Sequence, residues 1–175
     1  LRLAGYNKIL KIDADNQIIS NDFFLKNQLL DENEFFAGNW KTYQARHLNG
    51  TFYAWKSQLS QVGYFNEYIQ CYGWDDSDLY KRLEECEFSR NTLLEETMSC
   101  IQHGDQLRLA HQQHQPIAET SMTIKKIKSD PDYLIKFNKF LVNLMPKWTS
   151  KSKKVDFRLV DSVLLSNSEQ YYELI

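Results

Sequence analysis

"ILKIDADNQII", residues 9–19, is an apolar run that stops at two aspartates, Asp13 and Asp15, and resumes with an apolar pair. Two carboxylates one residue apart repel each other unless a cation, a helix end or solvent compensates. The β-rich residues 8–12 ahead of them read as a strand. At the end of an extended segment, side chains i and i+2 project to the same side. Asp13 and Asp15 can then chelate a hard ion, Mn²⁺ or Mg²⁺, and leave coordination positions for phosphate oxygens. The competing account is a solvated strand-to-turn transition, where Asp and Asn are ordinary. An EF-hand calcium loop is excluded, because Ile18 stands where that loop needs glycine and its terminal glutamate is missing.

The chain has 175 residues, enough for one domain with an appendage, and 42% of them are apolar. A formal net charge of −2 implies no general affinity for nucleic acid or anionic membrane. Ten tyrosines, ten phenylalanines and four tryptophans suit a core, and equally a cleft whose rings stack on sugar faces. Cys71, Cys86 and Cys100 are odd in number and match no zinc spacing, so they read as reduced thiols in the cytoplasm. No stretch approaches the ~20 apolar residues of a membrane span, and no signal-peptide pattern is present. Because the chain starts at Leu1, almost directly ahead of the strand, the expectation is a piece of a longer protein.

Further strands are expected over 50–57 and 97–103, the latter ending in His103. A short helix leads to Gly63. Ser20 or Asn21 caps a helix that turns Phe23, Phe24 and Leu30 inward. "CYGWDDSDLYKRLEEC" (71–86) is a loop becoming a helix, capped by Asp76 or Ser77, with Leu79, Tyr80 and Leu83 inside. Residues 33–40 look irregular. After Pro116 the pattern is helical only: Asp130-Pro131 opens a helix with Leu134, Phe137, Phe140, Leu141 and Leu144 on one stripe, which Pro146 stops. A basic connector follows, then a helix over 155–175. This order predicts an α/β body with a mixed sheet over 1–115 and a helical extension over 116–175. Lys125, Lys126, Lys128 and the basic run 147–154 read as a solvated face; contact with anionic lipid at the inner membrane surface or with an acidic glycan is the alternative.

"YGWDDSDL" (72–79) places Asp75, Asp76 and Asp78 at a helix start. The helix dipole alone accounts for acids there, at ~0.3–1 kcal/mol each. Capping does not require Gly73 and Trp74, however. A flexible glycine, an aromatic platform and an ionised carboxylate suit an acceptor hydroxyl and its general base. His103 gains weight as a metal ligand only if its strand neighbours that of Asp13 and Asp15. His111 and His114 read as solvated.

The order of these pieces resembles nucleotide-sugar glycosyltransferases of the A-type fold, closest to family 2 enzymes and the C-terminal galactosyltransferase-type domain. A strand ending in Asp-x-Asp is followed by Asn49-Gly50-Thr51-Phe52, where the family has Gly-Gly-x-Phe. Gly63-Tyr64-Phe65-Asn66-Glu67 stands for its Gly-Phe-Asp-Glu turn. Tyr72 to Leu79 stands for its Trp-Gly-(Gly or Trp)-Glu-Asp-x-Asp-Leu motif. The resemblance covers about residues 5–110. It implies a metal site at Asp13, Asp15 (the direct ligand) and His103, and a catalytic base at Asp76. It implies substrate contacts at Gly50, Gly73, Trp74 and Asp75. The implied cofactor is Mn²⁺ or Mg²⁺, the donor a nucleotide-diphosphate sugar such as a UDP-sugar, the acceptor a glycan hydroxyl, and the outcome inversion. Asp75 is one methylene shorter than the family glutamate. The family's nucleotide-binding segment lies ahead of the Asp-x-Asp and has no counterpart here. Two other classes fit part of the pattern: a non-catalytic carbohydrate-binding or assembly module, and an Asp-x-Asp phosphohydrolase.

Overall fold

The computed structural model describes residues 1, 3–29, 31–39, 41, 48–69, 73–101 and 131–152, with the backbone alone at 131–134. His103, Cys71, Tyr72, the polar stretch 105–128 and the expected helix over 155–175 lie outside the described residues. The chain is mixed α/β and divides into two units. The first comprises Leu1–Tyr64 with Asp76–Gln102, the second Phe65–Asp75 with His103–Ile175.

The first unit is built on a four-stranded mixed sheet. Its strands are β1 (Lys8–Lys11), β3 (Glu34–Ala37), β4 (Phe52–Trp55) and β5 (Ser89–Thr92), in the order β1-β4-β3-β5. β1 and β3 both run antiparallel to β4, and β3 runs parallel to β5. A second, two-stranded antiparallel sheet joins β2 (Asn16–Ile18) to β6 (Met98–Cys100). Its register, Asn16 opposite Cys100, fixes the chain immediately after the acidic pair.

Period-2 burial explains the central strands. Phe52 and Ala54 are fully buried, as are Phe35 and Ala37 of β3. On β1, Ile9 is buried, while Leu10 and Ile12 pack on the opposite face against Phe23, Leu48, Leu93 and Met98. Each large apolar side chain so buried stabilises the unit by roughly 1.5–3 kcal/mol. β3 falls where the sequence reading expects irregular structure. Four residues beside Gly38 are too few for a visible pattern, and the strand exists because β4 and β5 flank it.

Helices α1 (Phe23–Lys26), α2 (Lys56–Gln61) and α3 (Asp75–Glu85) complete the unit; Asp75, the first residue of α3, is assigned to the second unit. In α1 only Phe23 is buried, and Phe24 is exposed. Buried Gln58 fastens α2: its Oε1 accepts from the Trp55 N–H, and its Nε2 donates to the Glu32 and Glu34 carbonyls. Gly63, at φ +78°, closes the helix as expected, and the Tyr64 N–H bonds back to the Leu59 carbonyl. α3 turns Leu79, Tyr80 and Leu83 inward. Helix formation begins one residue before the expected caps, so Asp76 and Ser77 lie in its first turn.

In the second unit α4 (Pro131–Leu144) buries Phe137 and Leu141, with Met145 and Trp148 beyond its end. The Trp148 ring meets Tyr68 edge-on at 5.4 Å. Among the described residues no helix is long and apolar enough to cross a membrane.

Candidate functional site

β1 ends at Lys11, and the chain then turns. The Asn16 N–H donates to the Asp13 carbonyl at 3.0 Å, with Ala14 and Asp15 in the turn. The acidic pair therefore sits on a turn, not on the extended segment that would align residues 13 and 15. The Asp15 carboxylate lies 4.0 Å from Cys100 Sγ, and the Asp15 carbonyl accepts from the Ile101 N–H. The Asp13 carboxylate points instead to the turn before β4.

That turn, Asn49-Gly50-Thr51, joins three parts of the unit. The Asn49 carbonyl accepts from Tyr80 Oη at 2.6 Å, which seats α3. The fully buried Thr51 accepts at Oγ1 from Asn16 Nδ2 at 3.3 Å, which seats the Asp13 turn. The Gly50 carbonyl accepts from Lys11 Nζ at 2.6 Å. A Cβ on Gly50 would stand 1.8 Å from Asp13 Oδ2, so glycine leaves the space that this carboxylate fills. Asn49 Oδ1 is buried without a hydrogen-bond partner among the described residues.

Lys11 is the centre of the arrangement. Its ammonium lies 2.6 Å from Asp13 Oδ1, 2.6 Å from the Gly50 carbonyl and 3.3 Å from Asp76 Oδ1. Asp76 is 65 residues away in sequence, and the first turn of α3 delivers it. The Asp76 side chain is 15% exposed, Lys11 26% and Asp13 38%. Three of the expected site residues (Asp13, Gly50 and Asp76) thus surround one cation.

The sequence reading did not single out Lys11. The signal was present: a lysine inside an apolar strand, two residues before Asp13 and on the same side of β1 as buried Ile9. Beside an acidic pair, a lysine reads by default as a solvated counter-charge.

Asp78, third of the clustered acids, has a different job. It is buried and takes Arg82 at 2.7–2.8 Å, while Arg82 Nη1 donates to the Val62 carbonyl at 2.6 Å. This pair ties α3 to the end of α2.

Gly73, Trp74 and Asp75 belong to the second unit. Gly73 at φ +92° and Trp74 at φ +74° form a left-handed turn. For a tryptophan that conformation costs roughly 1–2 kcal/mol. α4 holds the turn in place. Asn138, fully buried, donates from Nδ2 to the Gly73 carbonyl at 2.8 Å. Ile135 occupies the space a Cβ on Gly73 would need. The Lys139 ammonium stands 5.1 Å from the centre of the Trp74 ring.

The oxygens around Lys11 Nζ, two carboxylate and one carbonyl, are the donor type that a hard divalent ion takes, and Asp13 is seated in a cradle only glycine allows. In this structure these oxygens hold the Lys11 ammonium. Among the described residues no three His, Cys, Asp or Glu side chains assemble into a metal-holding group, and His103 lies outside them.

No family model matches the chain, and no curated protein or solved structure matches it.

Proposed function

We propose that the chain is the metal- and acceptor-binding part of an inverting glycosyltransferase, which moves a sugar from a nucleotide-diphosphate donor, a UDP-sugar, to a glycan hydroxyl. The observation that carries this reading is the shared ammonium: Asp13 and Asp76, assigned to cation and base by their sequence motifs, face one Lys11 Nζ at 2.6 and 3.3 Å.

In this reading Asp13, Asp15 and His103 would hold Mn²⁺ or Mg²⁺, with Asp15 the direct ligand, as the resemblance implies. When bound, the ion neutralises charge on the departing diphosphate.

The chain's own residues do the rest. The Asp76 carboxylate accepts the proton of the acceptor hydroxyl as that oxygen attacks the anomeric carbon. The bond from that carbon to the diphosphate oxygen breaks, and the proton remains on Asp76. General-base assistance of this kind is worth ~10²–10⁴ in rate. Gly73, Trp74 and Asp75 keep the acceptor roles that the sequence resemblance gives them.

The test is a panel of UDP-sugars and oligosaccharide acceptors with MnCl₂ and the full-length protein, products read by mass spectrometry. Asp76→Asn is expected to lower transfer at least about 100-fold while Mn²⁺ binding persists. Unchanged turnover by that variant removes Asp76 from the role. Hydrolysis of simple phosphate esters without any sugar transfer replaces the reading with the phosphohydrolase.

A further inference from the structure

We propose that α4 is the scaffold of the acceptor platform and that Asn138 is its positioning residue, holding the Gly73–Trp74 turn in the conformation that presents the Trp74 ring to an acceptor sugar. The proposal rests on the acceptor role given to Trp74 above and involves no metal ion. It gives a task to a helix that the sequence presents as an extension.

The turn is an outlier that needs a cause. Gly73 at φ +92° takes the left-handed region freely, but Trp74 follows it there at φ +74°. A bulky residue keeps that conformation only where its surroundings over-determine it, and such residues gather at active sites and ligand clamps. Packing of the core does not account for the choice, because Trp74 is half-buried and lies outside it.

α4 supplies the constraint from one face. Ile135, Asn138 and Lys139 stand at i, i+3 and i+4, which makes them neighbours on the helix surface. Ile135 fills the space beside Gly73. Asn138 Nδ2 donates to the Gly73 carbonyl at 2.8 Å, and the Lys139 ammonium stands 5.1 Å from the centre of the Trp74 ring. Asn138 is fully buried beside buried Phe137 and Leu141. An amide there is costly unless it is hydrogen-bonded, and a helix that needed only a core contact would carry an apolar residue at 138. Beyond the helix, buried Trp148 meets the Tyr68 ring, so a second residue of the segment that carries Trp74 is held. α4 and that segment belong to the same unit.

The test uses the full chain and the acceptor that the UDP-sugar panel identifies. Asn138→Ala should raise acceptor KM about tenfold, while kcat and donor KM stay near wild type. That split marks lost acceptor binding, which a general loss of stability does not produce. With 5-fluorotryptophan incorporated, the ¹⁹F line assigned by Trp74→Phe should shift or split in Asn138→Ala, while that of Trp55 holds. A third measurement needs no variant to fold. In wild type, saturating acceptor should slow amide hydrogen exchange over 135–141 as well as at 73–75, because a ligand that binds only the clamped turn stabilises the clamp.

An unchanged acceptor KM in Asn138→Ala, an unmoved Trp74 line, or α4 amides that ignore the acceptor overturn the role of α4 and leave the transferase reading standing. A wild type that transfers sugar to no acceptor of the panel overturns that reading, and the platform with it.

Discussion

Gly50→Ala separates a functional glycine from a structural one within the same turn region. Gly50 is not among the positive-φ residues, so alanine meets no backbone strain there. The conflict is with a side chain: the new Cβ would lie 1.8 Å from Asp13 Oδ2 and 2.7 Å from its Cγ, against about 3.4 Å for ordinary contact. The carboxylate must retreat by about 1.6 Å. A retreat of that size takes Asp13 Oδ1 from 2.6 Å to roughly 4 Å from Lys11 Nζ, the limit of an ion pair. The Asp13 side chain is 38% exposed, so it can swing into solvent.

The loss is one half-exposed ion pair, about 1 kcal/mol or less. For a chain of this size that lowers Tm by roughly 2–4 °C. Gly38→Ala is the control. Its Cβ would lie 1.8 Å from the Leu48 carbonyl oxygen and 2.1 Å from its carbon, backbone atoms that cannot swing away. Overpacking against backbone costs ~1–3 kcal/mol or more, and the whole 48–51 turn has to shift. Calorimetric melting of both variants, with Mn²⁺ titration of Gly50→Ala, reads the difference. Gly50→Ala should remain nearly as stable as wild type and lose most of its Mn²⁺ affinity, whereas Gly38→Ala should melt markedly lower. A Gly50→Ala protein that melts as low as Gly38→Ala, or that binds Mn²⁺ as wild type does, refutes the assignment of this glycine to the seat of Asp13.

Two further variants probe the supports on either side. Asp78→Asn leaves the buried Arg82 guanidinium facing a neutral amide, which should cost about 3–5 kcal/mol and lower Tm by the order of 10 °C; a shift under 2 °C would mean that α3 is not anchored through this pair. Asn138→Ala removes the donor to the Gly73 carbonyl, worth about 1 kcal/mol, and lets the strained Trp74 turn relax. Its tryptophan emission should change, and the change should vanish in a Trp74→Phe background; persistence there would show that Asn138 acts elsewhere.

What could be read in advance depended on how strongly a segment's own pattern outweighed its surroundings. β1 and β4 follow from their runs of strand-forming residues and the inner face of α3 from period-3.6 spacing, and Leu79, Tyr80 and Leu83 are buried as that spacing demands. β3 and β5 carry no such pattern. "SRNT" is polar throughout, and it is a strand because its backbone pairs with β3. Periodicity also could not place the Asp13 carboxylate, since the turn at 14–15 breaks the alternation on which the i, i+2 argument depends. Lys11 was the hardest to see: two of the oxygens beside it lie 39 and 65 residues away in sequence. The stripe on α4 was legible, whereas its buried Asn138 under the Gly73–Trp74 turn was not, because a polar residue on an apolar stripe says nothing of its partner until the fold supplies one.

The acidic cluster at the start of α3 shows how one local sequence serves several ends. Side chains advance by about 100° per residue around a helix, so Asp75, Asp76 and Asp78 cannot share a direction. Asp78 turns inward, where Arg82 at i+4 neutralises it and fixes the helix to the Val62 carbonyl. Asp76 turns toward β1 and meets Lys11. The dipole argument that explains acids at a helix start is indifferent to these directions, and it would hold with all three pointing into solvent. It accounts for the composition of "DDSD" and leaves the geometry unexplained. Asp76 is 15% exposed and shares its counter-ion with Asp13, which follows β1. A capping residue needs no such arrangement.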